Sequence, residues 1–393
     1  MNSDVSRSIV DYLHTRLPAY LEELRQLCAI DSRTGYRVGI GEMDAWIRSW
    51  IDGRGWSVET VPDPAAGDSL LITATGTTGH GRVFLAAHMD TVYPVGVAAE
   101  RPLHEDGDRL LGPGTADNKS GLLSGLYAMA ALQDLDLLRT IGAVTLLCGS
   151  DEEAPGMPVS GRICDQQASH YDAGLVLECA GEHGEIVSCR KGMGTFILRA
   201  YGRAAHAGVE PERGANAIMA LGRQLDHVGR LDGFRPGVSV NVTTIEGGTA
   251  GNVIPAEASA TIDVRVEQGE DMEPVEDALR GITLIADVPN TRTELQGGWH
   301  APPMTLSGAN RTLADEAIEC ARQLGFAVAD VKRGGVSYAN RLAAHGLGVL
   351  DGLGPIGGND HSPDEYIVKS SIVPRTALLT LLITRCAVPR AGG

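Results

Sequence analysis

Histidines and acidic residues occur in four short stretches of the chain that could together bind two metal ions. The stretches are His88-Met89-Asp90, Gly112-Pro113-Gly114-Thr115-Ala116-Asp117-Asn118-Lys119, Asp151-Glu152-Glu153 and Gly358-Asn359-Asp360-His361, and Glu178 stands alone after an apolar run. Imidazole nitrogens and carboxylate oxygens suit zinc and chemically similar divalent ions. Two such ions about 3.5–4 Å apart can polarise a carbonyl group and activate water at the same site. The set therefore indicates metal-assisted hydrolysis.

Two of the stretches contain neighbouring groups whose spacing fits such chemistry. In His88-Met89-Asp90, the aspartate can accept the second N–H of a metal-bound imidazole and so fix its tautomer. In Glu152-Glu153, one carboxylate can bind metal while the other stays free as a general base. Taken singly, each has an ordinary alternative, since the first could be a chance pair and the second a solvated acidic loop. Their occurrence together, with a further histidine at 361, favours a metal site.

A phosphate-binding loop is the competing interpretation of the glycine-rich stretch around Asp117, because Lys119-Ser120 follow it. The phosphate-binding motif has a glycine directly before the lysine. Asn118 stands at that position, and the preceding glycines have the wrong spacing. The stretch therefore favours a metal ligand over a nucleotide site.

Apolar periodicity places most of these residues at the ends of predicted strands. Buried strands are predicted over 83–87, 143–148 and 175–177, shortly before His88, Asp151 and Glu178. Polar groups just past the carboxyl ends of buried strands are typical of the site of an open α/β sheet. Further strands are predicted over 56–61, 70–74 and 346–350, and helices over 6–29, 41–52, 119–132, 308–325 and 367–386. Alternating strands and helices indicate the α/β class.

The pattern of the sequence changes near residue 190. Alternation typical of half-buried antiparallel strands is found in 196–201, 238–245 and 258–266, and helices are predicted over 213–230 and 272–282. Gly297-Gly298 and Pro302-Pro303 are expected to mark a hinge. We therefore expect a discontinuous catalytic domain of residues 1–187 and 302–393, interrupted by a smaller α+β domain of residues 188–301.

The overall composition limits the class of partner. The chain has 393 residues and a formal net charge of -17, which argues against nucleic acid or anionic lipid as a partner, because both need basic surface. No apolar run approaches the ~20 residues that span a bilayer, and Met1-Asn2-Ser3-Asp4 does not begin a signal peptide. Seven cysteines without a CxxC pair indicate reduced thiols. We expect a cytoplasmic protein with a small-molecule substrate.

Together the motifs resemble those of the dizinc exopeptidase and amidohydrolase family that includes folate-cleaving glutamate carboxypeptidase, aminoacylase, acetylornithine deacetylase and succinyl-diaminopimelate desuccinylase. The resemblance covers nearly the whole chain and implies a zinc-exopeptidase-like mixed sheet flanked by helices, with an inserted lid and dimerisation domain. It implies two divalent metal ions, expected to be Zn²⁺ with Co²⁺ also compatible. The implied roles are as follows: His88 and Glu178 bind one ion, Glu153 and His361 bind the other, Asp117 bridges them, Glu152 is the general base and Asp90 orients His88.

The inserted domain carries further residues covered by this resemblance. His206 resembles a lid histidine that reaches the active site of the partner subunit, which implies a homodimer. Asn252 and Gly335 resemble substrate contacts, and Arg265 stands where the family holds the substrate's carboxylate. A guanidinium group suits that role because it can bind a carboxylate with two hydrogen bonds. The alternative is that Arg265 pairs with Asp263 or with a surface acid.

Two residues depart from the family pattern. Tyr338 stands where a pocket-lining aspartate is usual, which suggests an unusual substrate. Cys179 follows Glu178 where proline is common, and it could be an inert buried thiol or make the site sensitive to oxidants.

The predicted function is zinc-dependent hydrolysis of an amide bond next to a free carboxylate, in a peptide or an N-acyl amino acid. Pro113 and Glu178 resemble the glutamate carboxypeptidase branch, so a metallo-carboxypeptidase is the main interpretation. An N-acyl-amino-acid deacylase or desuccinylase is the alternative. A non-catalytic metal-binding relative is a third interpretation, which the presence of Glu152 disfavours.

Overall fold

A computed structural model describes residues 3–285 and 287–386. The predicted domain bounds at residues 1 and 393, and Ala286 of the predicted smaller domain, lie outside the described residues. The helices are α1 (Ser3–Cys28), α2 (Arg37–Ile51), α3 (Val97–Glu100), α4 (Ser120–Asp134), α5 (Ser160–Gln167), α6 (Ala217–Gly229), α7 (Met272–Ile282), α8 (Gly308–Gln323), α9 (Tyr338–Ala343) and α10 (Ile372–Cys386). In the described part of the chain, none of these helices has the length and apolar character needed to cross a membrane.

The strands follow the chain from residue 57 to residue 368. They are β1 (Ser57–Val61), β2 (Ser69–Thr75), β3 (Arg82–His88), β4 (His104–Asp106), β5 (Arg109–Leu111), β6 (Ala143–Gly149), β7 (Ala173–Val176), β8 (Ile186–Arg190), β9 (Gly192–Tyr201), β10 (Ala205–His206), β11 (Ser239–Gly247), β12 (Val253–Ile254), β13 (Glu257–Val266), β14 (Arg292–Ala301), β15 (Asp330–Arg333), β16 (Val349–Leu350), β17 (Gly357–Gly358) and β18 (Tyr366–Val368). The chain divides into two compact units. The larger comprises the residues up to Cys189, Leu306–Lys332 and the residues from Ser337 onwards, and the smaller comprises Arg190–Thr305 and Arg333–Val336.

The larger unit is built on a six-stranded mixed sheet in the order β1-β2-β6-β3-β7-β16. The strands β6, β3, β7 and β16 run parallel to one another. At the edge, β2 pairs with β6 in antiparallel fashion, and β1 pairs with β2 in the same way. Every residue of β6 and β7 is buried, as expected for central parallel strands that are covered on both faces. The helices α1, α4 and α10 pack against one another, and α4 contacts β3 and β6. The predicted α/β class with a mixed sheet is confirmed.

The smaller unit has a four-stranded antiparallel sheet in the order β11-β13-β9-β14. Buried and half-exposed residues alternate along β9 and β13, because α6 and α7 cover one face of this sheet. The inserted α+β fold is therefore confirmed.

The sequence analysis missed β14 and placed a hinge within it. Gly297 and Gly298 pair with Phe196 and Thr195 of β9, so the hinge predicted at these two glycines is wrong. A Cβ atom on Gly297, whose φ is +91°, would lie 2.2 Å from the carbonyl oxygen of Thr195. Glycine is needed here for close approach of two strands rather than for flexibility.

Candidate metal centre

Three adjacent strands bring most of the predicted ligands to one edge of the larger sheet. His88 is the last residue of β3, Glu178 comes two residues after β7, and the segment with Glu152 and Glu153 follows β6. Because β3 pairs in parallel with both β6 and β7, the carboxyl ends of all three strands meet. The side chains that follow them therefore converge on one region, as an α/β sheet allows.

The remaining two ligands come from a small second sheet in the order β17-β18-β5-β4. His361 lies in the turn between β17 and β18, and β18 pairs with β5. The chain leaves β5 into an irregular turn, Thr115–Lys119, that contains Asp117 and leads into α4. The pairing of β18 with β5 thus brings together two ligands that are far apart in the sequence.

The carboxylate of Asp117 lies between the two histidines. Its Oδ1 is 2.8 Å from Nε2 of His88, and its Oδ2 is 3.1 Å from Nε2 of His361. Glu178 completes a group with His88 and Asp117, and Glu153 completes a second group with Asp117 and His361. In each group the possible ligand atoms all lie within 4.8 Å of one another. The structure thus brings together all five predicted ligands in the grouping that the family resemblance implied.

These donors fit divalent metal ions in number and in chemistry. Each group supplies one imidazole and two carboxylates, the kind of ligand set that leaves a position open for water in catalytic zinc sites. Burial, together with Glu178 and Glu153 nearby, holds the pKa of Glu152 well above its usual value, although His88 opposes that rise. Burial also raises the pKa of Glu153, with the His361 hydrogen bond acting against it. Carboxylates so close to one another repel when ionised, so a cation bound among them would be favoured.

The two histidines already hold positive charge more strongly than usual. Hydrogen bonds to Asp117 and Glu153 raise the pKa of His361 to about 11. Burial alone would lower the pKa of His88, but its hydrogen bonds to Asp117 and Asp90 hold it well above the ordinary value. The surrounding carboxylates therefore favour positive charge on both imidazoles.

Asp90, which was predicted to orient the imidazole of His88, also makes hydrogen bonds to three other groups. His88 Nδ1 lies 2.9 Å from the backbone oxygen of Asp90 and 3.4 Å from its carboxylate. The carboxylate accepts the backbone N–H groups of Glu152 and Glu153, each at 3.1 Å, and the hydroxyl of Thr34 at 2.6 Å. Asp90 is fully buried, so this one side chain ties the end of β3 to the segment that carries the predicted base.

Known proteins resemble this chain over most of its length. A Peptidase M20 domain-containing protein of Schizosaccharomyces pombe is 30% identical over 72% of this chain and 67% of its own length. The chain belongs to the M20 peptidase family. Residues 189–284 match that family's peptidase dimerisation domain.

Two further comparisons extend over nearly the whole M20 peptidase. Carboxypeptidase G2 of a Pseudomonas strain is 27% identical over 91% of this chain and 86% of its own length. The crystal structure of an M20 family metallo-carboxypeptidase from Sulfolobus solfataricus is 16% identical and superimposes with a TM-score of 0.76, covering 94% of this chain and 99% of that one. The second comparison supports the fold.

The substrate residues predicted for this M20 peptidase all lie in the smaller unit. His206 and Asn252 are exposed and occupy neighbouring segments, because the N–H of Ala207 donates to the carbonyl of Asn252 at 2.9 Å. Gly335 is also exposed, and its carbonyl oxygen accepts a hydrogen bond from Arg190 at 2.9 Å. The predicted substrate residues thus include one pair of neighbouring segments, with His206 and Asn252, and a separate segment with Gly335 next to Arg190.

Arg265 forms the pair that the sequence analysis named as the alternative. Its Nε and Nη2 atoms donate to the two oxygens of Asp263 at 2.9 and 3.0 Å, and its Nη1 donates to the carbonyl of Gly334 at 3.1 Å. Arg265 and Asp263 are two residues apart on β13, so their side chains share one face of the sheet. One edge of the guanidinium group is therefore held by Asp263.

The two departures from the family pattern are both buried in this M20 peptidase. Tyr338 is fully buried, and a Cβ atom on Gly149 would lie 1.8 Å from its hydroxyl oxygen. Tyr338 therefore packs against the end of β6 and offers no exposed surface to a substrate. The Cys179 thiol is buried 3.6 Å from an oxygen of Asp360.

Sequence reasoning assigned no role to three side chains that make hydrogen bonds in or next to the segments of the predicted site. Thr34 contacts Asp90, as described above. Lys119 is buried, and its ammonium group donates to the carbonyls of Leu27 and Ile30 at 2.9 and 2.7 Å, next to the end of α1. Glu365 accepts hydrogen bonds from the turn that contains Asp117. The only sequence signal for Glu365 is an acid directly before the apolar strand β18.

Proposed function

We propose that this M20 peptidase is a zinc-dependent hydrolase that cleaves an amide bond next to a free carboxylate, and that it acts as a metallo-carboxypeptidase of the glutamate carboxypeptidase type. The observation that carries the proposal is the position of Asp117 between two imidazoles, with a further carboxylate on each side. We propose His88, Asp117 and Glu178 as ligands of one ion and Asp117, Glu153 and His361 as ligands of the other. Zn²⁺ suits these donors best, and Co²⁺ would also be accepted.

The mechanism assigns Glu152 the proton transfers. When bound, a pair of zinc ions would supply Lewis acidity and increase the acidity of water. Glu152 accepts the proton of the attacking water and then delivers it to the leaving nitrogen, as a general base and acid does. Asp90 holds the backbone of Glu152 in place through the hydrogen bond described above. The proposal thus separates the group that moves the proton from the group that fixes its position.

Residues of the smaller unit are proposed to bind the substrate. Arg265 would bind the free carboxylate through the edge of its guanidinium group that Asp263 leaves open, and Asn252 and Gly335 would contact the substrate. His206 would act in the active site of a partner subunit, so the working form would be a homodimer. The match of residues 189–284 to a dimerisation domain supports this assembly.

Exposed apolar side chains on the smaller unit also support a homodimer. Ile218 and Met219 on α6 are 43% and 52% exposed, and Ile245 on β11 is 62% exposed. The strand β11 is an edge strand, whose open hydrogen-bonding groups can pair with another chain. We further propose a cytoplasmic location, which the seven cysteines without a CxxC pair support.

A hydrolysis screen by mass spectrometry tests the proposed function. The zinc-loaded protein would be mixed with peptides and N-acyl amino acids that share C-terminal residues, and each compound would also be tested with its carboxylate amidated. Metal content would be measured on the same samples. Glu152→Ala is the inactive variant, and Glu59→Ala, at an exposed position on β1, is its matched control.

Each outcome of the screen decides between candidate functions. Release of a C-terminal amino acid from peptides, lost on amidation and in Glu152→Ala, supports a carboxypeptidase. Cleavage confined to N-acyl amino acids supports the deacylase or desuccinylase alternative, which needs the same groups around the scissile amide. Bound metal without cleavage of any compound would favour a non-catalytic metal-binding protein and contradict the proposal.

A further inference from the structure

A buried carboxylate outside the ligand set holds the turn that contains Asp117. Oε1 of Glu365 accepts the N–H groups of Ala116 and Asp117 at 2.7 and 2.9 Å, and Oε2 accepts the N–H of Gly114 at 3.0 Å. Glu365 is only 1% exposed. One side chain therefore satisfies three backbone donors of a turn whose backbone dihedral angles depart from helical values at Asp117 and Asn118.

The same carboxylate is connected to the turn that contains His361. The hydroxyl of Tyr93 donates to Oε2 of Glu365 at 2.6 Å and lies 2.9 Å from the carbonyl oxygen of Ser362, the residue after His361. Glu365 lies at the end of that turn, and its backbone N–H donates to Ser362 at 3.3 Å. The hydrogen bonds of Glu365 and Tyr93 thus join the backbone of Asp117 to the backbone next to His361.

The carboxylate of Glu365 and its four hydrogen-bond donors depend on each other energetically. A buried carboxylate is costly unless donors surround it, and here four donors do. Removing the carboxylate would in turn leave buried N–H groups without an acceptor, at a cost of the whole desolvation penalty. The position of the Asp117 backbone therefore depends on Glu365, and a small shift there would move both oxygens that lie between His88 and His361.

We propose that Glu365 is a positioning residue that sets the bridging carboxylate of Asp117 in register with His361. This inference rests on the proposed function, since it takes Asp117 as the shared ligand. Glu365 itself belongs to neither of the two groups of possible metal ligands. Its effect is exerted through the backbone of Asp117, with Tyr93 as the second contact.

Titration of the metal-free full-length protein with Co²⁺ tests the proposal. The visible absorption of the bound Co²⁺ reports ligand geometry, and calorimetry gives the number and affinity of the ions. In Glu365→Gln, the amide nitrogen would face donors, so we expect one of the two ions to bind about 10–100-fold more weakly and the absorption spectrum to change. Glu105→Gln is the matched control, because Glu105 is an exposed glutamate on β4 that pairs with Lys369, and it should leave both readouts unchanged.

Two further variants separate position from charge and from loss of folding. Glu365→Asp keeps the charge but shortens the side chain by about 1.5 Å, so it should behave like Glu365→Gln if position matters. Wild-type binding by Glu365→Asp would mean that only charge matters and would overturn the proposal. Tyr93→Phe removes one donor and leaves the three backbone contacts, so it should weaken binding less. If the Glu365 variants do not fold, Tyr93→Phe becomes the test of the positioning role. A Tyr93→Phe protein with wild-type Co²⁺ affinity and spectrum would then overturn the proposal.

The titration also distinguishes this inference from the proposed function. If the wild-type protein binds no Co²⁺, the metal site itself is wrong. If the wild-type protein binds two ions and Glu365→Gln binds them with the same affinity and the same spectrum, the proposed function stands and the positioning role fails.

Discussion

Replacing Asp90 with asparagine tests how the predicted base is held. In the wild-type protein, one oxygen of Asp90 accepts the N–H of Glu152 and the other accepts the N–H of Glu153 and the hydroxyl of Thr34. In Asp90→Asn, the amide oxygen can keep the first bond, while the amide nitrogen faces the second N–H. The hydroxyl of Thr34 can rotate to become an acceptor.

The expected cost follows from this count of bonds. Losing one hydrogen bond to a charged acceptor costs about 1.5–3 kcal/mol, and weakening the other to a neutral bond costs about 1 kcal/mol. The free energy of unfolding of the larger unit should therefore fall by about 2.5–4 kcal/mol. Thr34→Val removes only the hydroxyl contact to this carboxylate and should cost about 1.5–3 kcal/mol. The imidazole of His88 keeps its contact to the backbone oxygen of Asp90, so we expect metal binding to survive while kcat falls.

Urea unfolding followed by tryptophan fluorescence is a suitable assay. The chain has four tryptophans, and Trp46, Trp50 and Trp56 lie in the larger unit, so the signal mainly reports that unit. Metal content and kcat would be measured on the same samples. If Asp90→Asn unfolds within about 0.5 kcal/mol of the wild type and keeps its kcat, the carboxylate does not hold the segment of Glu152, and the reasoning is refuted.

Three other predictions concern the proposed chemistry. Glu152→Gln should keep both metal ions and lower kcat by about 10²–10⁴-fold, and unchanged turnover would remove Glu152 from the mechanism. Asp263→Asn should free the guanidinium group of Arg265 to reorient and raise KM about tenfold for substrates with a free carboxylate, with little change for the same compounds as amides; an equal change for both would show a general structural effect. Removing metal with 1,10-phenanthroline should abolish hydrolysis and added Zn²⁺ should restore it, whereas activity that persists in metal-free protein would exclude the proposed reaction.

Residue type and local pattern were sufficient to predict the fold class and to nominate the five ligands. His88 and Glu178 follow apolar strands that any periodicity argument finds, and parallel pairing makes their convergence foreseeable. The pair of Arg265 with Asp263, which was named only as the alternative, is likewise a local contact, because residues two apart on a strand share a face. The fold class and the convergence of these side chains were foreseeable because the deciding contacts lie within one element or between adjacent strands.

Contacts between distant segments could not be predicted in this way. The hydrogen bond between Glu365 and the backbone of Asp117 joins residues that are 248 positions apart, and nothing near either residue specifies it. The carboxylate of Asp90 was assigned to an imidazole two residues away, whereas its shortest contact is to Thr34. Gly297 was expected to mark a hinge together with Gly298, but the carbonyl of Thr195 excludes any larger residue there. In each case, the tertiary neighbour decides the role.

The discontinuous course of the chain has a consequence for protein synthesis. A ribosome that has released the first 189 residues has supplied His88, Asp117, Glu153 and Glu178, but not the strand β16 that pairs with β7 or the helix α10 that packs on α1. Domains generally fold as units while the chain emerges, and here most of the smaller unit emerges before the larger one can be completed. His361 is among the last of these parts to emerge. A nascent chain would therefore lack the complete set of these five side chains until His361 has emerged.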